Sequence, residues 1–392
     1  MTIAPAWLEA PATRAVLKAL GAEAFFVGGC VRNALLGRPS DDVDLATPLV
    51  PETVIGRLEA AGLKAVPTGL DHGTVTAVSG GIGFEITTYR ADVATDGRRA
   101  VVRFTEDRAL DASRRDFTMN ALYADAVGRV IDPLGGLPDL RAGRVRFIGD
   151  STTRIAEDAL RILRFFRFTA WYGRAGLDAE GLAASQASAA KIERLSRERI
   201  GAECAKLFAA PDPSPAVAAM AAAGVLSHTL PGADIEGGPR VLSALIALEA
   251  AARAVPCWLC RLAALSPVEA ERALRLSRAK ARTLADLQRL SALDEPPEIL
   301  AERAGIPLAR QAVLLRAARS HKTLPDALEA RLSAGAAAVF PLEARHLIAA
   351  GVPRGPAIGH GLERARTAWR ASGFRLDRAA LVRLSSKDGQ QG

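Results

Sequence analysis

Two aspartates, Asp42 and Asp44, flank Val43 and are followed by Leu45. In an extended chain, side chains alternate between faces, so this spacing puts both carboxylates on one face and Val43 and Leu45 in the core behind. Acids held side by side repel unless a cation separates them, and a hard divalent ion with oxygen ligands, Mg²⁺ above all, meets that need. Two such ions, roughly 3.5–4 Å apart, activate an attacking oxygen and neutralise a leaving one in an in-line displacement at phosphorus. Upstream, Gly28-Gly29 opens a run with apolar residues at helical spacing. Backbone N–H groups at such a turn favour phosphate oxygens, and Arg32 adds a fork of donors one turn further in. Each piece recurs by chance in other chains; their order joins them.

The elements that must position these residues can be read from the same pattern. Residues 24–27 are apolar and partly aromatic, and predict a strand ahead of the glycine turn; 30–36 predict a helix, and 42–45 a second strand. Before them, 1–23 read as an amphipathic helix with Leu8, Val16, Leu17 and Leu20 on its apolar side. After them, Pro51 starts a helix packed through Val54, Ile55 and Leu58. Strands follow at 64–66, 73–78 and 83–89, the last two joined by a Gly80-Gly81 hairpin turn. In the last, Glu85, Thr87 and Tyr89 share one face, opposite Phe84, Ile86 and Thr88.

The order GG-x-V-R-x-x-L-L-G-R followed by D-x-D resembles the nucleotidyltransferase motif of the class II tRNA CCA-adding enzymes and bacterial poly(A) polymerases. That family usually has Asp after the Arg, where this chain has Asn33. The resemblance implies an α+β protein: a nucleotidyltransferase (polymerase β-like) palm as head over 1–145, an all-α neck over 146–210 carrying a nucleobase-selecting helix, and a helical body and tail over 211–392 that bind tRNA. It further implies a third acid on a neighbouring strand, for which Glu85 is the candidate. Asp42, Asp44 and Glu85 would then be catalytic, the first two as metal ligands.

Residues 90–113 are polar and lack steady periodicity, which predicts a mobile loop. Its family counterpart helps switch nucleotide choice. The family's D-G-R-H-P-D here reads Asp96-Gly97-Arg98-Arg99-Ala100-Val101, while the full length of the segment differs from the shortened loop of enzymes that add only C. Next, R-R-D-F-T-M-N-A-L resembles a second family motif. In it Arg115 can pair with a triphosphate, and Asp116 and Asn120 can bond ribose hydroxyls, although Asp116 as a plain helix cap is the simpler alternative. The motif D-P-L-G-G-L-P-D-L, at 132–140, reads as a shaped turn hinging head to neck.

A strand-like piece at 145–148 leads to a capping segment and one long helix over 154–172, with Ile155, Ala159, Ile162, Leu163 and Phe166 as its apolar stripe. The other side carries Glu157, Asp158, Arg161, Arg164 and Arg167, in an arrangement similar to the family's E-D-x-x-R-x-x-R-x-x-R-F. Asp158 and Arg161 would be neighbours on the helix surface, either as an ordinary salt bridge or as readers of a base. Cytosine and adenine present an amino donor where uracil and guanine present a carbonyl, so an aspartate beside an arginine would accept the first pair and reject the second. Arg164 and Arg167 would hold the triphosphate or orient the base pocket. R-L-S-R-E-R-I, at 194–200, resembles a further family motif, with Ser196 as N-cap and Glu198 on the helix dipole, supporting that pocket or only capping a helix.

At 392 residues, 49% hydrophobic and 24% charged, the chain can bury more than one core, and its net charge of +8 suits a polyanionic partner. Four scattered cysteines exclude a disulfide framework, and C-x-x-C at 257–260 lacks the second pair a metal site needs, so buried structural thiols are expected. The start lacks a signal-peptide core, no apolar run is long enough to span a bilayer, and the expected location is cytoplasmic. From 202 onward the pattern is helical, with isolated histidines and basic faces that could track RNA. The function expected is template-independent addition of CCA to the tRNA 3′ end, with CTP and ATP as substrates and tRNA gripped at its acceptor arm. Poly(A) synthesis or partial CCA addition is the alternative within the same chemistry, and a non-catalytic RNA-binding protein the alternative outside it.

Overall fold

A computed structural model describes residues 1–40, 42–95 and 100–386. A 3₁₀ turn, Ala6–Leu8, precedes helix α1, Pro11–Leu20, so 1–23 is not a single helix: Pro11 can start a helix at its first turn but cannot continue one from before it. Strand β1, Phe25–Val27, runs into α2, Gly29–Leu35, through Gly28 at φ +71°, a conformation that favours glycine. Strand β2 is Leu45–Thr47, followed by α3, Pro51–Ala60, and strands β3, Lys64–Gly69, β4, Thr74–Ser79, and β5, Ile82–Thr88. Gly80 and Gly81, both at positive φ, make the expected hairpin turn.

Two expectations fail here. Asp42, Val43 and Asp44 lie on the extended lead-in to β2 rather than within it, and Val43 is only half-buried, whereas Leu45 is in the core. Among the described residues, 90–95 and 100–113 are not a loop. They form a hairpin, β6, Arg90–Thr95, with β7, Ala100–Phe104, and then α4, Arg108–Ser113, whose N-terminus is capped by the Asp107 carboxylate. Cross-strand pairing, which a polar composition does not advertise, satisfies the backbone here. Residues 96–99 of the altered D-G-R-R-A-V segment lie outside the described residues.

The main sheet is completed by β8, Tyr123–Ala124, and β9, Val130–Ile131, in the order β3-β4-β5-β2-β1-β8-β9. All its pairs are antiparallel except β2 with β5, where Leu45 faces Ile86 and Ala46 faces Thr87. That parallel pair sets the strand carrying Glu85 beside the lead-in carrying Asp44. On β5 the alternation is as expected, with Phe84, Ile86 and Thr88 buried and Glu85 exposed.

Helix α5, Leu137–Ala142, begins in the shaped turn. Asp132 accepts from the Gly136 and Leu137 N–H groups, Asp139 accepts from Thr118 Oγ1 at 2.7 Å, and a Cβ on Gly136 would sit 2.1 Å from the Thr118 carbonyl oxygen. The strand expected at 145–148 amounts to one bridge, Phe147 with Phe117. The single neck helix is in fact two, α6, Ser151–Glu157, and α7, Leu160–Tyr172. They are broken at Asp158, whose extended backbone (φ −153°) leaves its carboxylate free to cap the Leu160 N–H at 3.0 Å. Beyond come α8, Ala179–Ala187, α9, Arg197–Phe208, α10, Ser214–Ala222, α11, Val225–Thr229, α12, Gly238–Ala251, and α13, Trp258–Ala263. The remaining helices are α14, Ala270–Ala273, α15, Arg278–Ala292, α16, Pro297–Ala304, α17, Ile306–Ser320, α18, Leu328–Ala337, α19, Ala344–Ala349, α20, Pro356–Ala371, and α21, Arg378–Ser386.

Contacts group these elements into two compact units, Met1–Arg240 with Pro267–Leu276, and Val241–Ser266 with Ser277–Gly392. Head, neck and the first body helices are therefore one unit, a division unlike 1–145, 146–210 and 211–392. The second unit is entirely helical among the described residues. It has one core around Leu290, Leu300, Val313 and Leu332 and another around Leu347, Trp369 and Leu381. Cys257 and Cys260 are free thiols, as expected, and Cys260 is buried. Helix α18 crosses α16 at Gly335, where a Cβ would meet the Glu298 carbonyl oxygen at 1.9 Å. Gly335→Ala should therefore lower the stability of this unit by about 1–3 kcal/mol through overpacking. Urea denaturation checks this; an unchanged midpoint would show that the crossing yields without cost.

Candidate active site

Asp44 is anchored by its backbone, its carbonyl accepting from the Val27 N–H at 3.0 Å, so the last residue of β1 fixes the acid beside the glycine turn. Its carboxyl pKa is raised to about 6, first by burial, then by Glu85, then by Asp42, with Arg115 acting the other way. The exposed Glu85 and Asp42 thus disfavour the charge on Asp44, and Arg115 favours it. Among the described residues no three His, Cys, Asp or Glu side chains form a metal site unaided. A hard divalent ion held by one or two carboxylates, with water and substrate phosphate completing its shell, fits this donor set.

Arg115 lies against the glycine turn, and a Cβ on Gly28 would come within 3.4 Å of its Nη1. The fully buried Asp111 orients it, accepting from Arg115 Nη2 at 3.2 Å, Arg114 Nε at 2.8 Å and the Tyr123 hydroxyl at 2.6 Å. Burial opposes the charge on Asp111, but Arg115 and Arg114 more than offset it and hold its pKa below the ordinary value. The two glycines differ in use. Gly28 donates its N–H to the Leu122 carbonyl at 3.1 Å and so offers none to a phosphate, which corrects that expectation and leaves the Gly29 end of the turn for the role.

Arg32, Asp116 and Asn120 are buried and already engaged with protein groups. Arg32 is buried, donates from Nη1 to Asn120 Oδ1 at 2.5 Å and from Nη2 to the Tyr172 hydroxyl at 2.8 Å, and stacks over the Tyr172 ring at 4.2 Å. Asn33 stands where the family usually has Asp, and its Oδ1 accepts from Arg32 Nε and Nη2 at 3.1 and 2.9 Å; the contact survives without its charge. Asn120 donates onward to Asp116 Oδ1 at 2.9 Å. Asp116 Oδ2 accepts from Arg164 Nε at 2.7 Å, and Arg164 and Arg167 both reach Glu203 of α9. The result is a buried polar chain, Arg32–Asn120–Asp116–Arg164–Glu203–Arg167, linking head to neck. The polar atoms expected to meet ribose or triphosphate are thus already partnered inside the protein.

Asp158 and Arg161 also differ from expectation, since they do not pair with each other. Asp158 Oδ2 accepts from Arg199 Nη2 at 2.6 Å, whereas Arg161 is held by Glu157 and donates to the Arg154 and Arg114 carbonyls at 2.8 and 3.1 Å. Arg154 also donates to the Arg115 carbonyl at 2.8 Å, so the helix break is tied to the backbone that carries Arg115. Sequence reasoning missed Glu203, Asp111, Tyr172 and the partnership of Arg199 with Asp158. Glu203 could have been found: Ile200, Cys204 and Leu207 give α9 an apolar stripe at helical spacing, and an acid lying on that stripe needs a buried cation.

The raised pKa of Asp44 has a consequence for stability. A carboxyl with a folded pKa above its unfolded value stabilises most at low pH, and that contribution is lost as pH rises through about 6. In metal-free protein, Asp44→Asn should remove this loss and raise the melting temperature at pH 7.5 by roughly 2–4 °C, the shift that about 1 kcal/mol produces in a unit of this size. The difference from wild type should shrink toward pH 4. A divalent cation should raise the melting temperature of wild type but not of the variant, and parallel pH profiles for the two would refute the crowding.

Residues 24–146 match the model of the poly(A) polymerase head domain, and 177–235 that of the probable RNA- and SrmB-binding site of polymerase A. The CCA-adding enzyme of Streptococcus gordonii is 38% identical over 279 residues, which cover 69% of this chain and 68% of that one. That of Streptococcus pyogenes is 42% identical over 218 residues, and there the chain spans only 53% of its relative. Among solved structures, the Bacillus stearothermophilus CCA-adding enzyme in complex with CTP superposes with a TM-score of 0.75 at 27% identity, covering 96% of this chain and 97% of that one. The acids gathered at the glycine turn thus lie on a scaffold shared nearly end to end, and the chain belongs to the family of CCA-adding enzymes.

Proposed function

We propose that the protein adds CCA to the 3′ end of tRNA without a nucleic-acid template, using CTP and ATP and releasing pyrophosphate. The observation that carries this reading is the unfavourable pressure of Glu85 and Asp42 on the Asp44 carboxyl, beside an Arg115 that lies against the glycine turn and acts the other way. Asp42 and Asp44 would hold Mg²⁺, with Glu85 reinforcing their negative field. When bound, the ion supplies activation of the tRNA 3′-oxygen and neutralisation of the leaving pyrophosphate. Arg115, steadied by Asp111, and the Gly29 end of the turn are left to meet the triphosphate. The buried chain from Arg32 to Arg167 keeps that turn in register with the neck.

Asp158 and Arg161 would read the base, because their separate partners hold an acceptor and a donor apart instead of letting them neutralise each other. An amino group on cytosine or adenine satisfies the carboxylate; the carbonyl of uracil or guanine leaves it unpaired. The relatives named for CCA addition and the solved complex with CTP support the substrate class. Among the described residues no helix is long and apolar enough to cross a membrane.

Extension of a tRNA transcript lacking its 3′ terminal triplet tests the reading. With Mg²⁺, CTP and ATP, the product should stop after CCA; a long A ladder from ATP alone would move the assignment to poly(A) synthesis. Asp44→Asn should lower incorporation by roughly three orders of magnitude, about 4 kcal/mol of transition-state stabilisation. Incorporation that survives this change would refute the metal-ligand role. Asp158→Ala should raise UTP use relative to CTP by roughly 10- to 100-fold, as expected when a polar discriminator is removed. An unchanged ratio in single-nucleotide assays would take base reading away from Asp158.

A further inference from the structure

Helix α9 opens at Arg197, directly after the Ser196 cap. Its neighbour Arg199 reaches Asp158, but Arg197 takes no part in that pairing. Arg197 instead lines a separate pocket of about 300 Å³, together with Gly232, Val268, Glu269 and Arg272, all in the first compact unit. The Arg197 side chain is half-buried, and its Nη1 is turned inward with no hydrogen-bond acceptor. Arg272 stands exposed at the rim, and among the described residues no acidic side chain forms an ion pair with either guanidinium.

Several other partly buried arginines of this unit have acidic partners, and Arg32, which has none, donates to Asn33, Asn120 and Tyr172. Arg164 and Arg167 have Glu203, Arg161 has Glu157, and Arg115 has Asp111. A buried guanidinium N–H without an acceptor is costly unless something outside the protein supplies one, and Glu269, exposed at the same pocket, makes no ion pair with either arginine. Two arginines around one concave space, fork-shaped and permanently charged, match an oxyanion of phosphate geometry. The volume lies at the low end for ligand pockets, enough for a phosphodiester group but not for a whole nucleotide triphosphate with its base.

We propose that this pocket is a binding site for a backbone phosphate of the RNA substrate, gripped by Arg197 and Arg272 away from the reacting centre. The inference rests on the reading of the substrate as RNA. An RNA phosphodiester is favoured over a free anion because the chain carries a net charge of +8 and the second arginine stands at the open rim, where a long polyanion can pass without entering.

The test uses the full chain with two variants, Arg272→Glu at the exposed rim and Arg197→Met, which keeps the apolar stem while removing the charge. Binding of a tRNA transcript lacking its 3′ triplet is measured across a salt series, alongside extension kinetics. Each variant should weaken tRNA binding about threefold to tenfold and lower the log–log salt slope by about one, with KM for CTP and kcat at saturating tRNA unchanged. Arg197→Met should not lower the melting temperature, because the donor it removes has no partner to lose. Wild-type tRNA affinity and slope in both variants would overturn the proposal. So would a destabilised Arg197→Met together with normal tRNA binding by Arg272→Glu, which would make the arginine purely structural. Inorganic phosphate is the remaining arm: if it raises the wild-type melting temperature and this response is lost in the variants while tRNA binding is not, the pocket serves free phosphate and the proposal fails. Wild-type extension in the same assay separates these outcomes from a failure of the RNA-substrate reading itself.

Discussion

The ion pair between the buried Asp116 and the partly exposed Arg164 is the contact on which the architecture depends. Asp116 is 8% exposed and its two oxygens take the Phe117 N–H, Asn120 and Arg164, so it joins the turn after α4 to the neck helix α7. Through Asn120 it fixes Arg32 behind the glycine turn, and through Arg164 it engages Glu203 on α9. Desolvating so many charges is expensive, and a well-packed apolar junction could be as stable. What charge and hydrogen-bond geometry add is register: the chain closes only when α2, α7 and α9 stand in one relation, and α2 carries the helical side of the glycine turn.

The acid cluster shows the opposite economy. Asp44 stands where burial and two other carboxylates disfavour its charge, and only Arg115 acts against them. The protein tolerates this because the β1 backbone holds Asp44 whatever its charge. Crowding that destabilises the fold without a cation is what would give a cation its affinity in the proposed reaction, and the lead-in to β2 leaves such ligands more room than a strand interior provides.

The neck follows similar logic. One continuous helix would have set Asp158 and Arg161 side by side, free to satisfy each other. The break at Asp158 turns its carboxylate toward Arg199 and leaves Arg161 with Glu157, so acceptor and donor are fixed by neighbours instead of by mutual attraction. The same break lets Arg154 and Arg161 grip the carbonyls of Arg114 and Arg115, tying the start of the neck helix to the segment that carries Arg115. Arg199 belongs to a motif that looks like a simple capped helix start, and its partnership is visible only once α9 packs against α7.

By itself the sequence determined the strand–turn–helix around Gly28, the alternation on β5, the hairpin at Gly80-Gly81 and the helical second half. Each is written in nearest-neighbour terms: period, breaker residues and backbone conformations that few side chains allow. The partner of each charged side chain was decided only by tertiary structure. Arg32 meets Asn120 across 88 positions and Tyr172 across 140, and Arg164 meets Asp116 across 48, separations at which no local pattern carries information. The hairpin at 90–104 and the break at Asp158 were hidden for the same reason. A polar strand needs another strand to be stable, and a residue leaves a helix when a distant arginine and a nearby N–H offer its carboxylate more than the helix does.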